Sequence, residues 1–78
     1  MIKVYSTESC PWCVKAKQYL KSKNIEYIEV NVGEDMEGRE EMIKLSGQMG
    51  VPVINIDGKI IVGFDKMAID EAINTKYV

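Results

Sequence analysis

The 78-residue chain has no histidine, two cysteines, two prolines, one tryptophan and one phenylalanine. Without histidine or a third cysteine, a single copy cannot supply the roughly four nitrogen or sulfur ligands of a zinc site. No apolar run approaches the ~20 residues that a membrane-spanning helix requires. Met1-Ile2-Lys3-Val4-Tyr5 leads straight into strand pattern rather than into a secretory leader. Ten Lys and Arg stand against twelve Asp and Glu, a net charge of −2, and no cationic cluster offers a field for nucleic acid. Repeats, linkers and low-complexity segments are also missing. The expectation is one domain over residues 1–78, a monomer in the reducing cytoplasm with neither membrane nor nucleic acid as partner. In that compartment paired cysteines serve chemistry more often than structure.

Local patterns give the elements. Ile2-Lys3-Val4-Tyr5 is apolar and β-prone. From Pro11 to about Lys23, Cys13, Ala16 and Leu20 recur at helical spacing, with Lys15, Lys17, Lys21 and Lys23 largely off that stripe and Asn24 as the stop. Ile25 to Val32 reads as a second strand, with Ile28, Val30 and Val32 on one face and Tyr27 on the other. Glu37 to about Ser46 reads as a helix with Met42 and Leu45 inward and Ile43 nearby, bounded by Gly47 and Gly50. Val51 to Ile56, the Asp57-Gly58 turn and Lys59 to Val62 form a hairpin. A last helix opens at Asp65 or Lys66, with Met67, Ile69, Ala72 and Ile73 as its apolar positions. The order βαβαββα predicts an α/β fold with a four-stranded mixed sheet flanked by three helices. Its first two strands are parallel, because a helical crossover joins them.

Cys10-Pro11-Trp12-Cys13 falls where the first strand gives way to the first helix. One helical turn places both sulfurs on the same side, close enough to bond. The helix N-terminus presents unpaired N–H groups and partial positive charge, which favour a thiolate. Pro11 suits the first helical position, which needs no donor. A structural disulfide here would close too short a loop to constrain the unfolded chain usefully, and two inert buried cysteines are the reading for scattered residues rather than for a pair at a helix start. A redox dithiol remains, with Cys10 as the exposed nucleophile and Cys13 a turn inward. Tyr5, on a central strand, is read as packing. Trp12, between the cysteines on an exposed turn, is read as part of a docking surface.

Val4-Tyr5-Ser6 followed by the dithiol, Arg39-Glu40-Glu41-Met42-Ile43-Lys44, Val51-Pro52 and Gly63-Phe64-Asp65 together resemble the glutaredoxins over nearly the whole chain. The resemblance implies the minimal thioredoxin-like fold, without the extra N-terminal strand and helix of full-length thioredoxins. It implies a thiol–disulfide oxidoreductase with no bound cofactor, for which glutathione is a co-substrate and disulfide-containing or glutathionylated proteins are partners. By residue alone, Pro52 is a turn or the first residue of a strand; the resemblance implies a cis Val51-Pro52 bond whose backbone pairs with an extended substrate. Asp65 by residue alone caps its helix; the resemblance adds binding of the γ-glutamyl end of glutathione by Gly63, Phe64 and Asp65. Both roles are compatible.

Four departures from the family pattern bear on glutathione. Thr7 stands where glutathione-dependent members carry lysine, beside Glu8; Gly50 replaces a threonine before Val51; Val62 replaces the first glycine of a pair; Lys66 replaces a second aspartate. Gln48 or Lys66 would then have to grip the glycyl carboxylate. The Gly63-Phe64 pairing also resembles the glutaredoxin-like electron donors of ribonucleotide reductase, which are reduced by thioredoxin reductase, so that enzyme is the alternative reductant. An iron–sulfur carrier bridged through Cys10 and glutathione is a further alternative, but such members usually carry Gly-Phe-Ser after the first cysteine, not Pro11 and Trp12.

Overall fold

The computed structural model describes residues 2–76. Its elements run β1 (Ile2–Ser6), α1 (Pro11–Ser22), β2 (Ile28–Asn31), α2 (Met36–Ser46), β3 (Val53–Ile56), β4 (Lys59–Val62) and α3 (Lys66–Lys76). The sheet order is β2-β1-β3-β4. β1 pairs parallel with β2 (Tyr5 opposite Val30) and antiparallel with β3 (Tyr5 opposite Val53). β3 and β4 form the expected hairpin, turned by Asp57 and Gly58 at φ +48° and +98°, conformations that this pair of residue types supplies at low cost.

Side-chain alternation divides the interior between the two faces of the sheet. Ile2, Val4, Ile54, Ile56 and Ile61 pack with Ala16 and Leu20 of α1 and with Ile69, Ala72 and Ile73 of α3. Tyr5 and Val53 point the other way, onto Val32 and Met42 of the α2 side. Burial of a side chain such as Leu20 contributes about 1.5–3 kcal/mol. Each helix also has local punctuation. Asp35 caps α2 by accepting from the Gly38 N–H at 3.0 Å, and Gly47 ends it in the left-handed region at φ +75°.

Several sequence expectations need correction. β2 starts at Ile28, not Ile25, and Ile25 packs against the core from the connecting segment instead. Ile28 shares a face with Val30 and Val32 but is 44% exposed, being at the Lys3 end of an edge strand. β3 starts at Val53 rather than Val51, while α2 begins one residue early at Met36. Leu45 is exposed because Gly38, Met42 and Ser46, successive i+4 positions, form the sheet-facing row, leaving Leu45 on its outer flank. Met67 is exposed too; two residues from Ile69, it lies across the helix from the buried stripe.

Candidate functional site

The site forms at the C-terminal end of β1, where the chain turns through Thr7–Ser9 into α1. Cys10 is the N-cap residue of α1, in extended conformation, and Pro11 occupies the first turn. The Cys13 N–H donates to Cys10 Sγ at 3.2 Å. This is the N-cap hydrogen bond usually made by a serine or aspartate oxygen, here taken by sulfur. Cys10 is partly exposed and Cys13 fully buried, both as free thiols. Burial first, and then the neighbouring Cys10 sulfur, push the Cys13 thiol up to about 11, against smaller downward pulls from the Thr7 backbone N–H and Lys17.

The second wall comes from the start of β3. Cys10 Sγ lies 3.9 Å from the Val51 carbonyl oxygen, and the Val51-Pro52 peptide is cis. The Gly63 N–H donates to the Pro52 carbonyl at 2.8 Å. Gly63 has φ +81°, which turns the chain out of β4 and which only glycine adopts without steric cost. Phe64 then packs edge-on to Tyr19 at 5.8 Å and tilted to Trp12 at 6.4 Å between ring centroids. Trp12, Val51, Pro52, Gly63 and Phe64 line a groove of about 280 Å³ beside the dithiol. Trp12 is 56% exposed, and Lys15 Nζ sits 4.5 Å over its ring. A larger hollow of about 730 Å³, between Ile2, Ile25 and Ile28, opens at the opposite end of β1 and holds no thiol.

The sequence-selected residues divide accordingly. Cys10, Pro11, Trp12, Cys13, Val51, Pro52, Gly63 and Phe64 converge on one edge. Asp65 is adjacent, and its Oδ1 accepts from the Ala68 N–H at 3.1 Å, so it caps α3. Gln48 does not join them. Its side chain closes on its own loop, accepting from the Gly50 N–H at 2.8 Å and donating to the Gly50 carbonyl at 3.2 Å. Lys66 Nζ lies over the Tyr19 ring at 5.4 Å, not along the groove. None of the groove's lining residues is cationic.

Sequence reasoning missed one polar group beneath α1. Lys17 Nζ lies 2.7 Å from Glu29 Oε2, which also accepts from the Ser6 hydroxyl at 3.2 Å. The i, i+4 spacing of Cys13 and Lys17 carries that signal, although Lys17 lies off the stripe of Cys13, Ala16 and Leu20. Among the described residues no cluster of three or more His, Cys, Asp or Glu is placed to hold a metal ion, and no helix is long and apolar enough to cross a membrane.

Comparison with known proteins agrees with this geometry. The sequence profile of the family described as Glutaredoxin matches residues 2–61. A glutaredoxin-like 8.6 kDa protein in the rubredoxin operon of Clostridium pasteurianum is 67% identical over 73 residues, 94% of this chain and 97% of that protein. Glutaredoxin 3 of Escherichia coli K12 is 41% identical over 66 residues, 85% of this chain and 80% of its own. Among solved structures, the glutaredoxin of Methanosarcina mazei Go1 matches with a TM-score of 0.80 and 28% identity, covering 91% of this chain and 75% of that one.

Proposed function

This chain belongs to the glutaredoxin family, and we propose that it is a dithiol oxidoreductase that reduces protein disulfides and glutathione mixed disulfides. The observation that carries the reading is the asymmetry of the pair: Cys10 sits partly exposed at the N-cap, beside the Val51 carbonyl, while Cys13 is buried one turn in. Cys10 as thiolate attacks a substrate disulfide. One substrate sulfur departs with the electron pair, and a Cys10 mixed disulfide forms. Charge on the Cys10 sulfur faces the Cys13 N–H and the α1 N-terminus. Cys13 then attacks the Cys10 sulfur and releases the second substrate thiol. Alternatively, glutathione resolves the mixed disulfide from outside.

Glutathione is the co-substrate in this reading. The backbone N–H groups after Gly63 and the Asp65 carboxylate are the candidates for its γ-glutamyl end. Its glycyl end finds Thr7 where the family carries lysine, and Gln48 tied to Gly50. That observation favours a second reading, in which a thioredoxin-reductase-type flavoenzyme reduces the Cys10–Cys13 disulfide directly.

A coupled assay separates the two. Turnover of a protein disulfide is followed with glutathione plus glutathione reductase, and in parallel with thioredoxin reductase. Cys10→Ser abolishes turnover in both. Cys13→Ser impairs protein-disulfide reduction while sparing deglutathionylation. Activity with thioredoxin reductase alone overturns the glutathione reading, and activity surviving Cys10→Ser overturns the mechanism.

A further inference from the structure

Beneath the first two turns of α1, three polar side chains meet on the face turned to the sheet, and the exchange chemistry above uses none of them. Ser6, the last residue of β1, is fully buried. Its hydroxyl donates to Glu29 Oε2 on β2, and that oxygen also accepts from Lys17 Nζ at 2.7 Å. The Lys17 side chain is only 19% exposed, although Glu29 is 47% exposed. A lysine free to extend into water gains nothing from lying against the sheet, since partial burial penalises its charge. Here the carboxylate that holds it is itself fixed by a buried hydroxyl. Lys17 stands four residues after Cys13, one turn along the same flank of α1, and helical side chains lean back toward the N-terminus.

From this placement we infer that Lys17, held by Glu29 and Ser6, is a positioning residue for the resolving step, its ammonium stabilising the Cys13 thiolate that attacks the Cys10 mixed disulfide. The inference rests on the oxidoreductase reading above. In that step the Cys13 sulfur bonds to the Cys10 sulfur and the Cys10–substrate S–S bond breaks. The departing sulfur leaves with the electron pair and takes up a proton, balancing the one Cys13 gave up. The dithiol is oxidised by two electrons and the substrate disulfide is reduced by two.

Burial and the neighbouring Cys10 sulfur push the Cys13 thiol up to about 11 even with the Lys17 ammonium pulling it down. Little of it is thiolate near neutral pH, and loss of the Lys17 charge leaves still less. The charged and titratable groups around it are few. Cys10 faces it from the N-cap, and Lys17 from its own helix. Glu29 and Tyr27, from β2 and the segment before it, face Lys17, and Lys21 flanks Glu29. The Val51-Pro52 wall brings no titratable side chain.

The test follows both sulfurs in one trace. The reduced full chain is mixed in a stopped-flow instrument with dithiobis(nitrobenzoate), which releases one coloured thiolate as Cys10 is modified and a second as Cys13 resolves the adduct. Loss of a neighbouring cation raises a thiol by about one pH unit. Thiolate then falls about tenfold, and its greater nucleophilicity recovers part of the loss, leaving the step about three- to fourfold slower. Lys17→Gln and Lys17→Met are therefore expected to slow the second phase relative to the first by about that factor near neutral pH, and to move its pH profile upward by about one unit. Lys17→Arg is expected to restore both rate and profile. A second phase with unaltered rate and profile in Lys17→Gln and Lys17→Met overturns the inference, as does a defect that Lys17→Arg leaves in place. If the unsubstituted protein gives a first phase and no second, the dithiol reading itself fails, and the inference with it.

Discussion

The Cys13 N–H points at the Cys10 sulfur over 3.2 Å, while the Cys13 thiol is closed off from solvent. One residue therefore supplies a donor to the attacking sulfur through its backbone and the resolving sulfur through its side chain. The two thiols should differ sharply toward a small alkylating agent. Near neutral pH iodoacetamide is expected to modify Cys10 well before Cys13, with Cys13 labelling rising only as pH approaches about 11. Peptide mass spectrometry of timed samples reads this, and faster labelling of Cys13 would reverse the roles.

The same burial makes stability depend on alkaline pH. Cys13 rises from an ordinary value of 9.0 to about 11 in the folded protein. Below about pH 9 both folded and unfolded chains hold the proton, and the contribution is fully present. As pH climbs from about 9 to about 11, only the unfolded chain loses its proton, so the folded state loses up to about 3 kcal/mol. Tyr5, raised chiefly by burial, works in the same direction. Urea midpoints of the reduced protein should fall across that window, and Cys13→Ser should flatten the fall.

On the α2 face, the Tyr5 hydroxyl is bonded to Glu41, which also pairs with Lys3 at 3.2 Å. Glu41→Ala leaves a hydroxyl beneath α2 without its acceptor, whereas Tyr5→Phe removes the hydroxyl and leaves Glu41 to water and Lys3. Glu41→Ala is expected to cost about 1–3 kcal/mol and Tyr5→Phe less. Denaturation of the two variants checks the order, which would be reversed if the carboxylate were incidental.

Asp65 offers a way to separate folding from recognition. Its Oδ1 caps α3, so Asp65→Ala should lose about 0.5–2 kcal/mol of stability. Asp65→Asn keeps a capping oxygen but not the charge. If the carboxylate also holds the ammonium group of glutathione, Asp65→Asn melts like the parent yet shows a raised KM for glutathione. Thr7→Lys, restoring the missing cation, should lower that KM about tenfold or more, from the roughly 1.5–3 kcal/mol of a charge-assisted hydrogen bond.

Gly38 is a position where a helix-favouring substitution should fail. Alanine in place of a helical glycine ordinarily gains about 1 kcal/mol. A Cβ on Gly38 would stand 2.3 Å from Val30 Cγ1 and 3.2 Å from Asp35 Oδ2, so α2 must lift from β2 or Val30 must turn. Gly38→Ala is expected to destabilise, and Val30→Ala to recover much of that loss in the double variant. Independent, additive effects of the two substitutions would argue against the contact.

The elements that were legible in the sequence are those whose signal is local. The Asp57-Gly58 turn, Pro11 at the head of α1 and the Ala16–Leu20 stripe each depend on neighbours within a few positions, and each lies where the pattern puts it. The dithiol and Trp12 were legible from their spacing at a helix start, and Val51, Pro52, Gly63 and Phe64 through the family motifs. What the sequence did not disclose depends on how elements and loops are placed in three dimensions. Ile28 is apolar but sits on an edge strand, and Gln48 is spent on the loop of Gly50 rather than on the groove. Lys17 carries no local sign of its partner, because Glu29 is twelve residues away on another element.

The strand order has a consequence for the timing of synthesis. β1 is the first strand translated and lies in the interior of the sheet, yet its antiparallel neighbour β3 begins only at Val53. A nascent chain emerging at roughly 5–20 residues per second therefore exposes Cys10 and Cys13 seconds before Val51 and the hairpin exist to stand beside them. In that interval the two thiols belong to an unfinished sheet and lack the wall formed by Val51 and Pro52.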